Sequence, residues 1–79
     1  MNEREFIEQK WRKVNNDNDN KFFKSYPGLY IIVDLISESG KAVIDSERYG
    51  KLELHFGLSR FDKVIDIEIF IINFFKNKL

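Results

Sequence analysis

Cysteine is absent from this 79-residue chain, and several patterns that carry chemistry are missing with it. Without cysteine there is no disulfide framework, no thiolate nucleophile and no cysteine-ligated metal site. The sequence also lacks a phosphate-binding glycine loop, a zinc signature and a serine nucleophile motif, and its one histidine is His55. These absences predict a protein that is not an enzyme and that has no cofactor and no metal.

Net charge and long hydrophobic runs are also lacking. The formal net charge at pH 7 is zero. The longest apolar segments, such as residues 29–33, are far shorter than the ~20 residues of a membrane-spanning helix. The charged N-terminus, residues 1–5, has no apolar segment of the kind found in secretory signals. We therefore expect a cytoplasmic protein with no membrane attachment, and the length predicts one small domain, residues 1–79.

The N-terminal residues have the pattern of an amphipathic helix. Asn2 and Glu5 resemble a capping box, and the pattern predicts a helix over residues 3–14. Its apolar positions are Phe6, Ile7, Trp11 and Val14. The Asn- and Asp-rich segment 15–20 is expected to be a loop, because these side chains compete for backbone hydrogen bonds.

The middle of the chain has the spacing of an antiparallel meander. Two polar turn segments, 37–41 and 46–51, separate short apolar runs, and Pro27-Gly28 favours a tight turn before them. The predicted strands are residues 29–36, 42–45, 51–56 and 64–70. In the predicted register Leu35 lies opposite Ala42, and Val33 lies opposite Ile44.

Residues 64–70 fit two interpretations. Alternation places Ile65, Ile67 and Ile69 on one face, whereas a helix would put Glu68 in the middle of its apolar stripe. We therefore predict a strand here, followed by a short closing helix that starts near residue 71.

The predicted fold class is α+β. An N-terminal amphipathic helix packs on a four-stranded antiparallel meander with a short C-terminal helix. The alternative is an ααββα arrangement in which residues 27–38 and 60–78 are helical.

The predicted register gives the sheet one core face and one face rich in carboxylates. Like charges on neighbouring strands repel one another, so such a face invites a positively charged partner. An ordinary solvated face is the other interpretation. The predicted partner-binding residues are Asp34, Asp45, Glu53, His55, Asp66, Glu68 and Phe70.

These observations favour a small non-enzymatic protein-binding module. Phe, Ile, Asn and Lys are abundant and have AT-rich codons, which suggests a low-GC bacterial or phage genome. We predict an inhibitor, immunity protein or antitoxin whose acidic sheet face meets a basic site on its target, such as a toxin or nuclease. Self-association into a homo-oligomer stays open.

Two alternatives belong to other functional classes. Asp45 with Glu53-Leu54-His55 resembles the Asp and Glu-x-Lys arrangement of restriction-type metal nucleases, although His55 stands where that pattern has lysine. The second alternative is a nucleic-acid-binding regulator. It would use the basic residues of the N-terminal third, which are Arg4, Lys10, Arg12, Lys13, Lys21 and Lys24. Binding of nucleic acid to an acidic sheet face is disfavoured, because phosphates would meet carboxylates.

Overall fold

A computed structural model describes residues 1–14 and 20–76 and shows a helix at each end of an antiparallel sheet. The elements in chain order are α1 (Glu3–Glu8), β1 (Arg12–Lys13), β2 (Lys21–Tyr26), β3 (Leu29–Asp34), β4 (Ser39–Ser46), β5 (Gly50–Gly57), a 3₁₀ helix (Leu58–Arg60) and α2 (Val64–Lys76). The strands lie side by side in the order β1-β2-β3-β4-β5. The α+β prediction is confirmed, but the sheet has five strands instead of four. No helix in the two described ranges is long and apolar enough to cross a membrane.

Helix α1 ends well before the predicted boundary at residue 14. The Lys10 N–H donates to the Ile7 carbonyl and the Trp11 N–H donates to the Phe6 carbonyl, each at 3.0 Å. Together with the left-handed conformation of Lys10 (φ 69°), these bonds form a Schellman motif that stops the helix. The chain then reverses, and the next residues pair with β2. The second half of the predicted helix is therefore wrong.

Strands β3, β4 and β5 contain the predicted strands 29–36, 42–45 and 51–56 for most of their length. Their register differs from the prediction, since Val33 lies opposite Gly40 and Ile31 lies opposite Ala42. The four-residue connection 35–38 is tighter than expected and sets this register. Because the shift is even, Val33 and Ala42 still point to the core face.

Strand β2 has no counterpart among the predicted strands. Phe22 and Phe23 are adjacent, so one ring points to each face and the sequence does not alternate. The predicted turn at Pro27 and Gly28 joins β2 to β3, and Gly28 has a φ of 75°. The alternative in which residues 27–38 are helical is therefore wrong. The predicted loop at 15–20 lies almost entirely outside the described residues.

The strand predicted over residues 64–70 is wrong, because this segment is the first half of α2. The helix buries one stripe with helical spacing: Val64, Ile67, Glu68, Ile71 and Phe75. The predicted closing helix is the second half of α2, so the alternative of a helix over 60–78 is closer for this segment. Residues 77–79 lie outside the described residues.

Both helices pack on the same face of the sheet. The Phe6 ring stacks on Phe22 with ring centroids 5.2 Å apart, and Val64, Ile67 and Ile71 are fully buried. The first turn of α2 is tied to α1, because the Glu5 carboxylate accepts a hydrogen bond from the Val64 N–H at 2.6 Å. No described element covers the opposite side of the sheet, which we call the open face.

Candidate functional site

The open face carries side chains from all five strands. Residues directly opposite each other in an antiparallel sheet point to the same side, so they form rows across it. One row is Arg12, Phe23, Ile32, Lys41 and His55. The next row is Ser25, Tyr30, Val43 and Glu53. Val43 is buried among these neighbours, whereas Tyr30 is exposed. The open face therefore mixes apolar side chains with charged ones.

Four of the predicted partner-binding residues lie on the open face: Asp34, Asp45, Glu53 and His55. Cations lie opposite three of them, because Lys21 pairs with Asp34, Lys51 with Asp45, and Lys41 with His55. Lys21 and Lys41 enter the face because β2 was not predicted and β4 begins before the predicted strand 42–45, whereas Lys51 already lay within the predicted strand 51–56. The prediction of an acidic sheet face is therefore wrong, and the open face has mixed charge.

The side chains of these acids also have local roles. Asp34 Oδ1 accepts a hydrogen bond from the Ile36 N–H at 2.9 Å and so holds the turn between β3 and β4. Glu53 Oε2 lies 3.3 Å from His55 Nε2, with both side chains exposed to water.

Among residues 1–14 and 20–76 no three His, Asp or Glu side chains could hold a metal ion together. Asp45, Glu53 and His55 therefore do not form the metal site that the nuclease alternative requires.

The other three predicted partner-binding residues lie on α2, on the far side of the sheet from the open face. Asp66 Oδ2 accepts a hydrogen bond from the Lys63 N–H at 3.3 Å in the first turn. The Phe70 ring lies 5.4 Å from the Phe61 ring and 5.2 Å from the Arg60 guanidinium. Their predicted position beside the acids of β4 and β5 is wrong, because it relied on a strand where the chain forms a helix.

Glu68 is the buried member of this group, with 4% of its surface exposed. Its carboxylate meets three donors from the other end of the chain. Lys24 Nζ lies 2.6 Å from Oε1, Trp11 Nε1 lies 3.4 Å from Oε2, and the Tyr26 hydroxyl donates to Oε1. A buried carboxylate is tolerated when charge and hydrogen bonds compensate it in this way. The Glu68 cluster, which we define as Glu68, Lys24, Trp11 and Tyr26, therefore joins α2 to β2.

Burial is the main reason that the pKa of Tyr26 is raised above its ordinary value. The hydrogen bond to Glu68 and the negative charge of that carboxylate raise the pKa further. The phenol therefore stays protonated and continues to donate to Glu68 at a pH where a solvated tyrosine would ionise. All four side chains of the Glu68 cluster bond to one another through the Glu68 carboxylate, so the cluster holds α2 against β2 and serves the packing of the fold.

The outer side of α2 is apolar where a surface helix is normally polar. Ile65, Ile69 and Ile72 are 39%, 51% and 46% exposed, and Phe74 is 41% exposed. The three isoleucines follow one another at i, i+4 and i+7, so they lie along one side of the helix. We call them the isoleucine stripe.

The basic residues of the N-terminal third are largely neutralised. Three of them form ion pairs: Arg4 with Glu8 at 3.0 Å, Lys13 with Glu3 at 3.0 Å, and Lys24 with Glu68 at 2.6 Å. Lys21 lies opposite Asp34 on the open face. Lys10 and Arg12 have no ion-pair partner among the described residues.

Sequence reasoning missed the isoleucine stripe, although its spacing of four and three residues is present in the sequence. Alternation assigned Ile65 and Ile69 to the core of a sheet, and the same residues lie on the outer side of a helix.

Comparison of the chain with protein-family models, curated proteins and solved structures finds no match.

Proposed function

We propose that this protein is a non-enzymatic protein-binding module whose isoleucine stripe binds an amphipathic helix of a partner protein. The observation that carries the proposal is the exposure of Ile65, Ile69 and Ile72 side by side on the longest helix. Exposed apolar side chains that occur singly need no explanation, but a contiguous row marks an interaction surface.

The spacing of the stripe fits a helix as the occupant. Steps of four and three residues are those of a coiled-coil seam, in which side chains of one helix insert between those of another. From Ile65 to Ile72 the stripe runs about 10 Å along α2, or two helical turns. A helix that carries apolar side chains at the same spacing would cover it.

The polar residues around the stripe favour one orientation of the partner. Asp66 lies near the N-terminus of α2 and Lys76 at its C-terminus, so α2 is acidic at one end and basic at the other. A partner helix that runs antiparallel, with acidic residues near its own N-terminus, would place opposite charges together.

The size of the patch supports a partner with further surface to contribute. The isoleucine stripe and Phe74 expose roughly 350 Å² of apolar surface, as judged from their exposed fractions. A stable interface buries about 800 Å² on each partner, so the stripe would form its apolar centre, with polar residues as the rim.

A small inhibitor, immunity protein or antitoxin that acts in the cytoplasm is the kind of protein that would work through such a surface. The sequence predicts this class from size and from the lack of catalytic motifs, and we retain it as part of the proposal. A basic toxin or nuclease as the target also stays a prediction. The proposed contact surface is now α2 instead of an acidic sheet face.

The experiment compares two substitutions of exposed isoleucines. Ile69→Glu puts a charge at the centre of the stripe, and Ile36→Glu puts the same charge on an isoleucine that is 66% exposed in the β3–β4 turn. A photo-crosslinking residue at position 72 identifies the bound segment of the partner in the native host, and calorimetry then measures the affinity of the purified pair. We expect Ile69→Glu to weaken binding at least 10-fold, about 1.4 kcal/mol, and Ile36→Glu to have little effect.

The proposal requires the crosslinked segment to be helical and amphipathic. Equal losses in the two variants, or a crosslink only from an extended segment, would contradict it. Concentration-dependent sedimentation of the pure wild-type protein that Ile69→Glu abolishes would show that the helix comes from a second copy of this chain, which contradicts a separate partner.

A further inference from the structure

A hollow of about 380 Å³ lies at the β1–β2 edge of the sheet, away from α2's outer side. Its lining residues are Lys10, Arg12, Phe23, Lys24 and Ser25. The two basic residues of the N-terminal third that lack an ion-pair partner among the described residues, Lys10 and Arg12, both line this one hollow. Their charges are therefore available to a ligand.

None of the described residues that line the hollow is a carboxylate. Lys24 also lines the hollow, but its ammonium group bonds to two acceptors of the protein. The negative charge on those acceptor oxygens offsets the attraction of Lys24 for an anion. Its Nζ lies 2.6 Å from the Glu68 carboxylate and 2.8 Å from the Gln9 carbonyl. The potential of the hollow is thus set by Lys10 and Arg12, and it favours an anion.

The backbone at Lys10 contributes to this arrangement. Its φ of 69° is costly for a residue with a side chain, and such conformations persist where the surrounding structure fixes them. The chain reversal that requires this conformation brings Lys10 and Arg12 to the same side as Ser25 of β2. A serine hydroxyl can donate to a phosphate oxygen, as can both cations.

Phe23 supplies an apolar wall. Its ring is half-buried and belongs to the row of open-face residues between Arg12 and Ile32. An aromatic ring beside two cations is the combination that binds a nucleotide, because the ring stacks on the base while the cations hold the phosphate. An inorganic anion would use only the cations.

We propose that the hollow formed by Lys10, Arg12, Phe23 and Ser25 binds a nucleotide unit, with the phosphate at the two cations and the base against Phe23. The unit is either a free nucleotide or one residue of a single-stranded nucleic acid, which share this chemistry. The site is separate from the isoleucine stripe and does not depend on the function proposed for it.

Fluorescence anisotropy with a labelled single-stranded oligothymidylate tests the site, with unlabelled thymidine 5′-monophosphate and inorganic phosphate as competitors. The test variant is Lys10→Gln with Arg12→Gln. The control, Arg4→Gln with Lys13→Gln, removes the same two residue types and the same charge from ion-paired positions. Thermal melting shows that each variant folds, and NMR shift mapping on the wild type locates the ligand without any variant.

We expect the test variant to lose at least 10-fold in affinity and the control to lose little. The slope of log K against log salt should fall by about 0.7, because the two cations hold one phosphate and each phosphate contact on a single strand contributes about 0.7. Phe23→Leu should weaken binding about 5- to 150-fold, the range of stacking on one base. Shifts should centre on Phe23 and Ser25.

Displacement by the mononucleotide as well as the oligonucleotide would assign the site to free nucleotides, and binding of the oligonucleotide alone would assign it to single strands. Both outcomes support a nucleotide site. Equal losses in the test and control variants would overturn it, as would the absence of saturable binding. Competition by inorganic phosphate with no effect of Phe23→Leu would show a simple anion site and overturn the nucleotide assignment.

Discussion

Lys10 occupies a position in the Schellman motif of α1 where glycine is usually found. A side chain in the left-handed region costs about 1–2 kcal/mol, and glycine avoids that cost but loses more entropy on folding. We expect Lys10→Gly to stabilise the protein by about 0.5–1 kcal/mol in chemical denaturation.

Lys10→Ala is the matched control, because it removes the same charge and keeps the side-chain strain. Its free energy of unfolding should lie within about 0.5 kcal/mol of wild type. A stabilisation by alanine as large as that by glycine would show that the gain comes from the lost charge and not from the backbone.

Glu68 is the residue that misled the sequence-based assignment of its segment. A carboxylate in an apolar helical stripe is unfavourable on its own, and this argument favoured a strand. The three donors that make the helix acceptable are Lys24, Trp11 and Tyr26, and all of them come from the other end of the chain. Nothing within residues 64–76 shows that these donors are present, so the local pattern left the helix as the alternative to a strand.

Strands β3 to β5 could be predicted because their information is local. The apolar alternation and the turn residues that define each hairpin lie within that hairpin. An error of an even number of residues in the register leaves each side chain on the predicted face of the sheet. Strand β1, with two residues, depends on the chain reversal at Lys10, where the sequence has no glycine to signal it. That reversal also brings Lys10 and Arg12 to the hollow at the β1–β2 edge, so the sequence predicted the basic residues of the N-terminal third as a group but not the position of these two in one hollow.

Gly40 in β4 is required by its cross-strand partner Phe56. The Phe56 ring is buried over Gly40, and a Cβ added to Gly40 would lie closer than 3.0 Å to that ring. The ring cannot move without disturbing the core that it helps to form. We expect Gly40→Ala to lower the free energy of unfolding by about 1–3 kcal/mol, the usual cost of overpacking.

Gly57 at the end of β5 provides the comparison for this effect. Its backbone is extended, and the nearest side-chain atom to an added Cβ is Ser59 Oγ at 4.0 Å. Gly57→Ala should therefore change the stability by no more than about 0.5 kcal/mol. If both alanine variants were equally unstable, the close approach of Phe56 would not be the cause.

At the scale of the whole molecule, the two surfaces of the fold differ in how they use charge. The face under the helices buries one compensated carboxylate, while on the open face Asp34 and Asp45 lie opposite lysines of neighbouring strands. The sequence predicted the side of the sheet for Asp34, Asp45, Glu53 and His55, but it could not predict which cations would lie opposite them. The net charge of a face depends on the length and the register of its strands. Intrinsic β-strand propensity predicts neither of these well, because it depends strongly on context.

The Glu68 cluster links distant parts of the molecule, so the titration of its Tyr26 should affect global stability. Lys24 reaches both Glu68 on α2 and the carbonyl of Gln9 at the end of α1, and Tyr26 donates to the same carboxylate from β2. The pKa of Tyr26 is raised in the folded protein, mainly by burial, so the folded state holds this proton more tightly than the unfolded chain. The stabilisation is complete below the pKa of an unfolded tyrosine, about 10, and it is lost progressively as the pH rises above that value.

Tyr26→Phe removes the titrating hydroxyl and leaves Glu68 with two donors. Near neutral pH this variant should be less stable than wild type by about 1–3 kcal/mol, since it loses a hydrogen bond to a charged group. Above about pH 10 the difference should shrink, because only wild type loses the contribution of the phenol. Urea denaturation between pH 7 and 11 measures both curves, and Tyr30→Phe on the open face is the control that should run parallel to wild type. A constant difference between Tyr26→Phe and wild type across this range would show that the phenol does not couple the packing of α2 on β2 to pH.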